Sequence, residues 1–549
     1  MNESADDAAR LRRTSTNGDL IAIAAIAIAA FLRHATQLGA WWTYDDPQIL
    51  IQAIRESYAG IFASPEHWRM YSASNLVPFL PASFKLDLQV AGLTPWWFYA
   101  HQLIAMAAAA SLLYVYARTF ASRAASAVAA LSFLVVPLTV EASHMLMLRH
   151  YVEGLALALG SLIAWSRYGR NGRWPALATA AVLYFLAMAC KEIYAPLPLL
   201  MIADSVQRRA RTGAIARSLV PVALAAMAYL PWRFWMLQSA GGYGAFSWPN
   251  ALLRLPTTAW FGVAGSAPAW LEALWAILVV AVLFALQGAE WMRVVLIAIA
   301  VSIYLALPLI PVVLKFERRH AFAVSVAAVF FAAVIADRIA GRRLRIAALC
   351  ALVVIPGMAG VYEQRLDETR DRVMRAEGMF LWTEPASPRV LYGTSGGWYL
   401  DGLRWLRKEL RHEIAPPYYS STIGLVLDRV PPERIVSAVG WPNAKILAAV
   451  AARQRIGAMN VAAGRRGNIF GWKVSPSRDW VLLTPMGAEM FTLPGPAGAL
   501  PFPAEFFAPS CESSQRTMRF ARVRSDGTWI VSPLLPFPAR DGVVRWASR

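Results

Sequence analysis

Along the first two thirds of the chain, apolar residues come in blocks rather than in strict alternation. Runs of about 20 mostly apolar residues are long enough to cross a bilayer as α-helices. They fall at 20–39, 97–117, 124–140, 151–166, 174–190, 193–206, 217–236, 268–288, 291–314, 320–337 and 346–362. The pattern predicts a polytopic α-helical membrane protein of about eleven spans. The sixth run is short and carries Pro196 and Pro198, so a broken helix is expected there, tolerated where its backbone is buried in protein. From 363 onward the apolar runs shorten, as in Arg389-Val390-Leu391-Tyr392 and Trp480-Val481-Leu482-Leu483, and Pro and Gly recur. This predicts a membrane domain over 1–362 followed by a soluble α/β domain over 363–549. An amphipathic helix is predicted from Leu400 to Arg411. Another is opened by Asp46-Pro47, with Ile49, Leu50, Ala53, Ile54 and Tyr58 forming an apolar face along the membrane surface.

Composition agrees with this reading. The 549 residues are 57% hydrophobic and 16% charged, with a mean hydropathy of +0.43, which excludes an ordinary soluble enzyme. The formal net charge is +19, and arginines between the apolar runs contribute to it. Arg10, Arg12 and Arg13 precede the first run, and Arg118 and Arg123 follow the second. Arg167, Arg170 and Arg173 follow the fourth, and Arg208, Arg209, Arg211 and Arg217 follow the sixth. Arg293 follows the eighth, and Arg338, Arg342, Arg343 and Arg345 follow the tenth. With this span count they share one side, the cytoplasm by the positive-inside rule. Their dispersal argues against nucleic-acid binding. The polar N-terminus leads into the first run without a small-residue cleavage site, so that helix is expected to be retained. In a bacterium the N-terminus is then cytoplasmic, the tail periplasmic, and the protein resides in the inner membrane. Cys190, Cys350 and Cys511 have no metal or redox spacing.

Most of the remaining polar chemistry falls on the opposite, external side. Trp41-Trp42-Thr43-Tyr44-Asp45-Asp46-Pro47 follows the first span. Asp46 is expected to cap the next helix. Asp45 lies outside that helix, and capping does not account for it, so it is the better candidate to take a proton or hold a cation. Glu141 and His144 are three apart and share a helix face, with Arg149 and His150 just beyond. With Asp45, Glu141 and His144 could hold a divalent metal cation. Lys191-Glu192 reads either as a pair complementing two helix ends or as a phosphate contact. Lys315-Phe316-Glu317-Arg318-Arg319-His320 places cations on the side where the usual bias disfavours them, which points to an anionic ligand. The glycines of Gly393–Gly397 lack a phosphate-loop spacing and read as a plain turn.

In this order the stretches resemble the GT-C type membrane glycosyltransferases. In pattern they are similar to the protein O-mannosyltransferase-like group, including the bacterial transmembrane-and-TPR O-mannosyltransferases, here without a TPR tail. The residues carrying the resemblance are Asp45-Asp46-Pro47, Gly92-Leu93-Thr94-Pro95 with His101, and Pro137 with Glu141 and Arg149. Lys191-Glu192 with Pro198 and Asp204 follows, then Glu317-Arg318, so that the likeness covers roughly residues 20–340. Two elements depart from the family pattern. Glu317-Arg318-Arg319-His320-Ala321-Phe322-Ala323 stands where the family has E-R-Y-L-Y-L-P, and Ser74-Asn75-Leu76-Val77-Pro78 replaces a Y-R-P-L element. The resemblance implies inverting transfer of a sugar from a polyprenyl-phosphate donor to an acceptor hydroxyl on a protein, lipid or glycan. It implies Asp45, within the pair Asp45 and Asp46, as general base, and Glu141 as a second acid holding acceptor or metal. It also implies donor-phosphate contacts from Lys191, Arg318 and Arg149. Other readings are a lipid-linked oligosaccharide flippase, an O-antigen ligase or polymerase, and an inactive scaffold. The flippase would be expected to place ionisable residues inside its spans rather than at one face.

Overall fold

The structure, a computed structural model, describes residues 3–72, 75–208, 212–238 and 318–383, and beyond these one helix and a set of strands between 390 and 547. The predicted spans at 268–288 and 291–314 lie outside the described residues. The chain divides into two compact units, one of Met1–Trp41 with Ile49–Asp371, the other of Trp42–Gln48 with Arg372–Arg549.

The first unit is helical. Its long helices are α1 (Glu3–His34), α6 (Pro95–Ala117), α9 (Arg149–Asn171), α12 (Thr212–Leu237) and α14 (Arg342–Thr383, in this unit to Asp371). Between α1 and α6 run four shorter helices: α2 (Asp46–Arg55), α3 (Tyr58–Ala63), α4 (Pro65–Tyr71) and α5 (Phe79–Ala91). The remainder are α7 (Arg123–Val135), α8 (Pro137–His144), α10 (Trp174–Cys190), α11 (Leu197–Gln207) and α13 (Phe322–Ala336). Among the described residues, five helical segments are long and apolar enough to cross a membrane, six if α7 and α8 form one bent span. The chain is a polytopic helical membrane protein. Each predicted span on described residues coincides with a helix or a broken helix.

Proline sets the breaks. Pro137 disfavours the helical conformation at Val136, which is extended, and α7 and α8 meet at 52°. At the sixth span Lys191 is extended, a single 3-10 turn follows over Glu192–Tyr194, and α11 starts only after Pro196.

Acidic side chains tie several of the arginine-bearing segments of this unit. The Asp19 carboxylate accepts hydrogen bonds from Tyr114 Oη at 2.5 Å, Arg118 Nε at 3.2 Å and Arg123 Nε at 3.1 Å. Asp337 accepts from the backbone N–H and hydroxyl of Ser122 at 2.7 and 2.6 Å, and Asp204 accepts from Ser166 and Arg208 at 3.0 and 2.9 Å. The start of α6, the end of α8, the start of α9 and the end of α10 lie together.

Helix α14 lies close to α7. A Cβ on Gly360 would stand 2.0 Å from the Val135 carbonyl oxygen, a backbone atom that cannot swing aside. Gly360→Ala is expected to destabilise the unit by roughly 1–3 kcal/mol, read as a lowered melting temperature of the purified protein. An unchanged Tm would show that α14 does not pack this tightly.

In the second unit, β1 (Val390–Tyr392) pairs in parallel with β2 (Tyr418–Ser420) and β3 (Ile435–Val436), and α15 (Gly397–Arg411) follows β1. A helix thus stands between two parallel strands of one sheet. Beyond it the described elements are strands. β4 (Gln454–Ile456), β7 (Trp480–Pro485), β8 (Phe491–Leu493), β10 (Thr517–Val523), β11 (Trp529–Val531) and β12 (Leu535–Pro536) form one sheet. β5 (Asn460–Arg466), β6 (Ile469–Ser475), β9 (Ala497–Pro501) and β13 (Gly542–Ala547) form an antiparallel sheet in the order β13-β5-β6-β9. Val461 and Ala463 on β5, and Trp472 and Val474 on β6, are buried at a period of two, which fits a sheet with one covered face.

Candidate functional site

The acidic turn belongs to the second unit. Tyr44 is left-handed, with φ +45, a conformation that costs a bulky residue about 1–3 kcal/mol and persists only where its surroundings impose it. Two hydrogen bonds close the turn. The Asp46 N–H donates to the Thr43 carbonyl at 2.9 Å, and the Thr43 N–H donates to Asp46 Oδ2 at 2.8 Å. The Tyr44 ring packs on a cluster of Met374, Leu381, Tyr399, Leu400 and Leu403. Gln48 donates to the Trp398 carbonyl at 2.6 Å, in space that only a glycine at 402 leaves open. Asp46 stands at the start of α2, where its sequence context placed it. It opens the helix and reaches back to Thr43, fully buried at 0% exposure, while Asp45 is half-buried at the corner of the turn. The packing of this turn on α15 joins residues some 350 positions apart, and no local pattern announces it.

Glu141 and His144 lie on α8 in the first unit. His144 is 1% exposed, with Nδ1 2.5 Å from Asp371 Oδ2 and Nε2 2.7 Å from the Gln37 side-chain nitrogen. A Gln37 amide donating to Nε2 leaves the ring proton on Nδ1, directed at Asp371. Both nitrogens are thus engaged, and the ring links α1, α8 and α14 instead of offering a metal ligand. Tyr99 Oη donates to the His144 carbonyl at 3.3 Å and to the Trp41 carbonyl at 2.9 Å. Helix α14 adds a row of acids at intervals of four, Glu363, Asp367 and Asp371, of which the first two are buried. Asp367 is held by Arg370 at 2.5 Å and feels the charge of Glu141. The spacing of these acids is legible in the sequence, but they follow the last apolar run and read as the start of the tail. Among the described residues no three His, Cys, Asp or Glu side chains are arranged to hold a metal ion. The two carboxylates of the suggested Asp45–Glu141 pair belong to different units.

Arg149 departs from its expected role. It is 0% exposed, and its Nη1 donates to Asp87 Oδ2 at 2.5 Å and to Ser83 at 3.2 Å. Its Nη2 donates to the Phe98 carbonyl at 2.6 Å, and its guanidinium lies 4.9 Å from the Phe84 ring centroid and 5.6 Å from that of Phe98. It is the internal counter-charge of Asp87, which His101 also contacts at 2.8 Å. A guanidinium with no exposed surface does not reach a phosphate.

Lys191 keeps a place that suits an anion. It is 6% exposed, in the extended break between α10 and the 3-10 turn, with Nζ 5.0 Å over the Tyr151 ring. Its neighbour Glu192 pairs with Arg233 at 2.5 Å and accepts from the Leu76 N–H at 3.4 Å. Arg318 opens a 3-10 turn before α13, and its side chain lies outside the described residues. Arg319 approaches Met147 Sδ at 3.8 Å, and Lys191 and Arg319 both act electrostatically on His150. The cationic corner on described residues is thus Lys191 with Arg319.

No family model matches the chain, and no curated protein matches it in sequence. Among solved structures it is similar to ArnT from Cupriavidus metallidurans bound to undecaprenyl phosphate, at 14% identity and a TM-score of 0.44, over 81% of this chain and 93% of that one. It is similar to the same protein in the apo state at 14% identity and a TM-score of 0.45, over 78% of this chain and 90% of that one.

Proposed function

We propose that this membrane protein is a glycosyltransferase that moves a sugar from a polyprenyl-phosphate donor to an acceptor hydroxyl, with inversion, on the periplasmic face of a bacterial inner membrane. The observation that carries the reading is the division of labour in the acidic turn. Asp46 is buried as a turn-closing acceptor, and Asp45 follows a left-handed Tyr44 at the corner, half-buried. In this reading Asp45 takes the acceptor proton while the acceptor oxygen bonds to the anomeric carbon. The bond from that carbon to the phosphate oxygen breaks, and its electron pair stays with the phosphate. Lys191 stabilises that charge, a task for a preorganised cation, and Glu141 orients the acceptor. The apolar spans suit a donor that itself lives in the bilayer.

The test is reconstitution of the purified protein with labelled polyprenyl-phosphate sugars. Consumption of one of them supports the reading. Translocation of a lipid-linked sugar without consumption would establish the flippase instead. Chelation of divalent cations in the same assay tests whether a metal takes part. Lys191→Met is expected to raise the donor KM about tenfold or more, the worth of a hydrogen bond to a charged group. An unchanged KM would remove Lys191 from the donor site.

A further inference from the structure

Among the described residues, His150 is a buried polar side chain that neither the fold nor the proposed chemistry uses. It is 5% exposed, yet neither ring nitrogen has a hydrogen-bond partner among the described residues. The backbone of Met147 interacts with the ring but lies outside hydrogen-bond geometry for either nitrogen. Buried imidazoles are normally satisfied. This one differs from His144, whose two nitrogens are both taken up.

The surroundings indicate what would satisfy it. His150 lies in the first turn of α9, a helix of 23 residues whose N-terminal end favours negative charge. Lys191 and Arg319 act on it from two other elements, the end of α10 and the turn before α13. The Tyr151 ring stacks at 4.6 Å and also carries Lys191 Nζ. Two cations, a helix start and an unsatisfied imidazole form a setting in which a cation or a neutral hydroxyl gains little. A multivalent oxyanion gains from all of them at once.

We propose that His150 donates a hydrogen bond to an oxygen of a phosphoryl anion held between Lys191 and Arg319. The identity of the lipid donor rests on the proposed function, but anion binding by His150 does not. The ligand chemistry is shared by a polyprenyl monophosphate and by soluble phosphate, and the two are separable.

The full-length protein in nanodiscs is titrated with a long-chain polyprenyl monophosphate and, separately, with inorganic phosphate. His150→Leu is expected to weaken binding about tenfold or more, whereas His150→Gln, which keeps an N–H donor, stays within about threefold of the wild type. A loss seen only with the lipid assigns the headgroup, and a loss with both assigns a general phosphate site. Wild-type binding by His150→Leu overturns the proposal. So do equal losses in both variants accompanied by equal falls in Tm, because a packing role predicts that outcome. If His150→Leu does not fold, Arg319→Gln tests the same site, with the same tenfold loss expected and wild-type binding overturning it. Binding that depends on His150 in a protein that consumes no polyprenyl-phosphate sugar defeats the transferase reading and leaves this site standing. Transfer at wild-type donor KM by His150→Leu does the reverse.

Discussion

Asp45→Asn is expected to lower kcat by about 10²–10⁴-fold, the usual worth of a positioned general base, while Tm changes by no more than about 1–2 °C. Asparagine matches aspartate in shape but cannot take up the acceptor proton. Two bonds that close the turn run between Thr43 and Asp46, and the variant leaves both in place. Donor KM should be little affected, because the base meets the acceptor and not the phosphate. The companion variant Asp46→Ala behaves differently. It removes the acceptor for the Thr43 N–H and with it part of what holds Tyr44 left-handed, so stability and rate fall together. Initial rates with saturating donor, read beside melting curves, separate the two. Full activity of Asp45→Asn would sink the proposed mechanism. Loss of rate without loss of stability in Asp46→Asn, against an active Asp45→Asn, would exchange the roles of the two acids.

What could be read from the sequence follows from which interactions are local. Blocks of apolar residues located the helices because the length that crosses a bilayer is fixed by its thickness. Pro137, Pro196 and Pro198 marked the breaks because a proline constrains its own backbone and its neighbour's. The acids that tie the arginine-bearing segments were not singled out: Asp19 holds Arg118, Asp204 holds Arg208, and Asp337 holds Ser122. Pairings at long range were not legible. Nothing in Arg149 or its neighbours reveals that Asp87, 62 residues earlier, consumes its charge. The three acids of α14 lie beyond the apolar run that defines a span, and their meeting with α8 depends on the helix continuing past it. In the tail, strands as short as two to seven residues carry little periodic signal, and the predicted α/β domain spans a region whose described elements after α15 are strands. In the sequence His144 ranked above His150, because it shares a helix face with Glu141. Only the partners of each ring separate the satisfied histidine from the unsatisfied one.

The second large effect is on folding. Arg149→Met is expected to destabilise the first unit by about 3–5 kcal/mol, because it leaves the Asp87 carboxylate buried without its counter-charge. Asp87→Leu should cost a similar amount by stranding the guanidinium between Phe84 and Phe98. The double variant should recover most of either loss, since replacing a buried pair with apolar side chains is often close to neutral. That recovery also decides between the two roles of Arg149. If the residue served the donor phosphate, the double variant would fold and yet bind donor poorly. With the guanidinium enclosed by α5, α6 and α9, the double variant is expected to fold and to keep the wild-type donor KM, with His101 and Ser83 among the polar neighbours left to adjust. Chemical denaturation of the single and double variants, set beside donor titration of the double, gives both readings. A well-folded Arg149→Met that has lost the donor would return this arginine to the binding site and leave Asp87 without a counter-charge of its own.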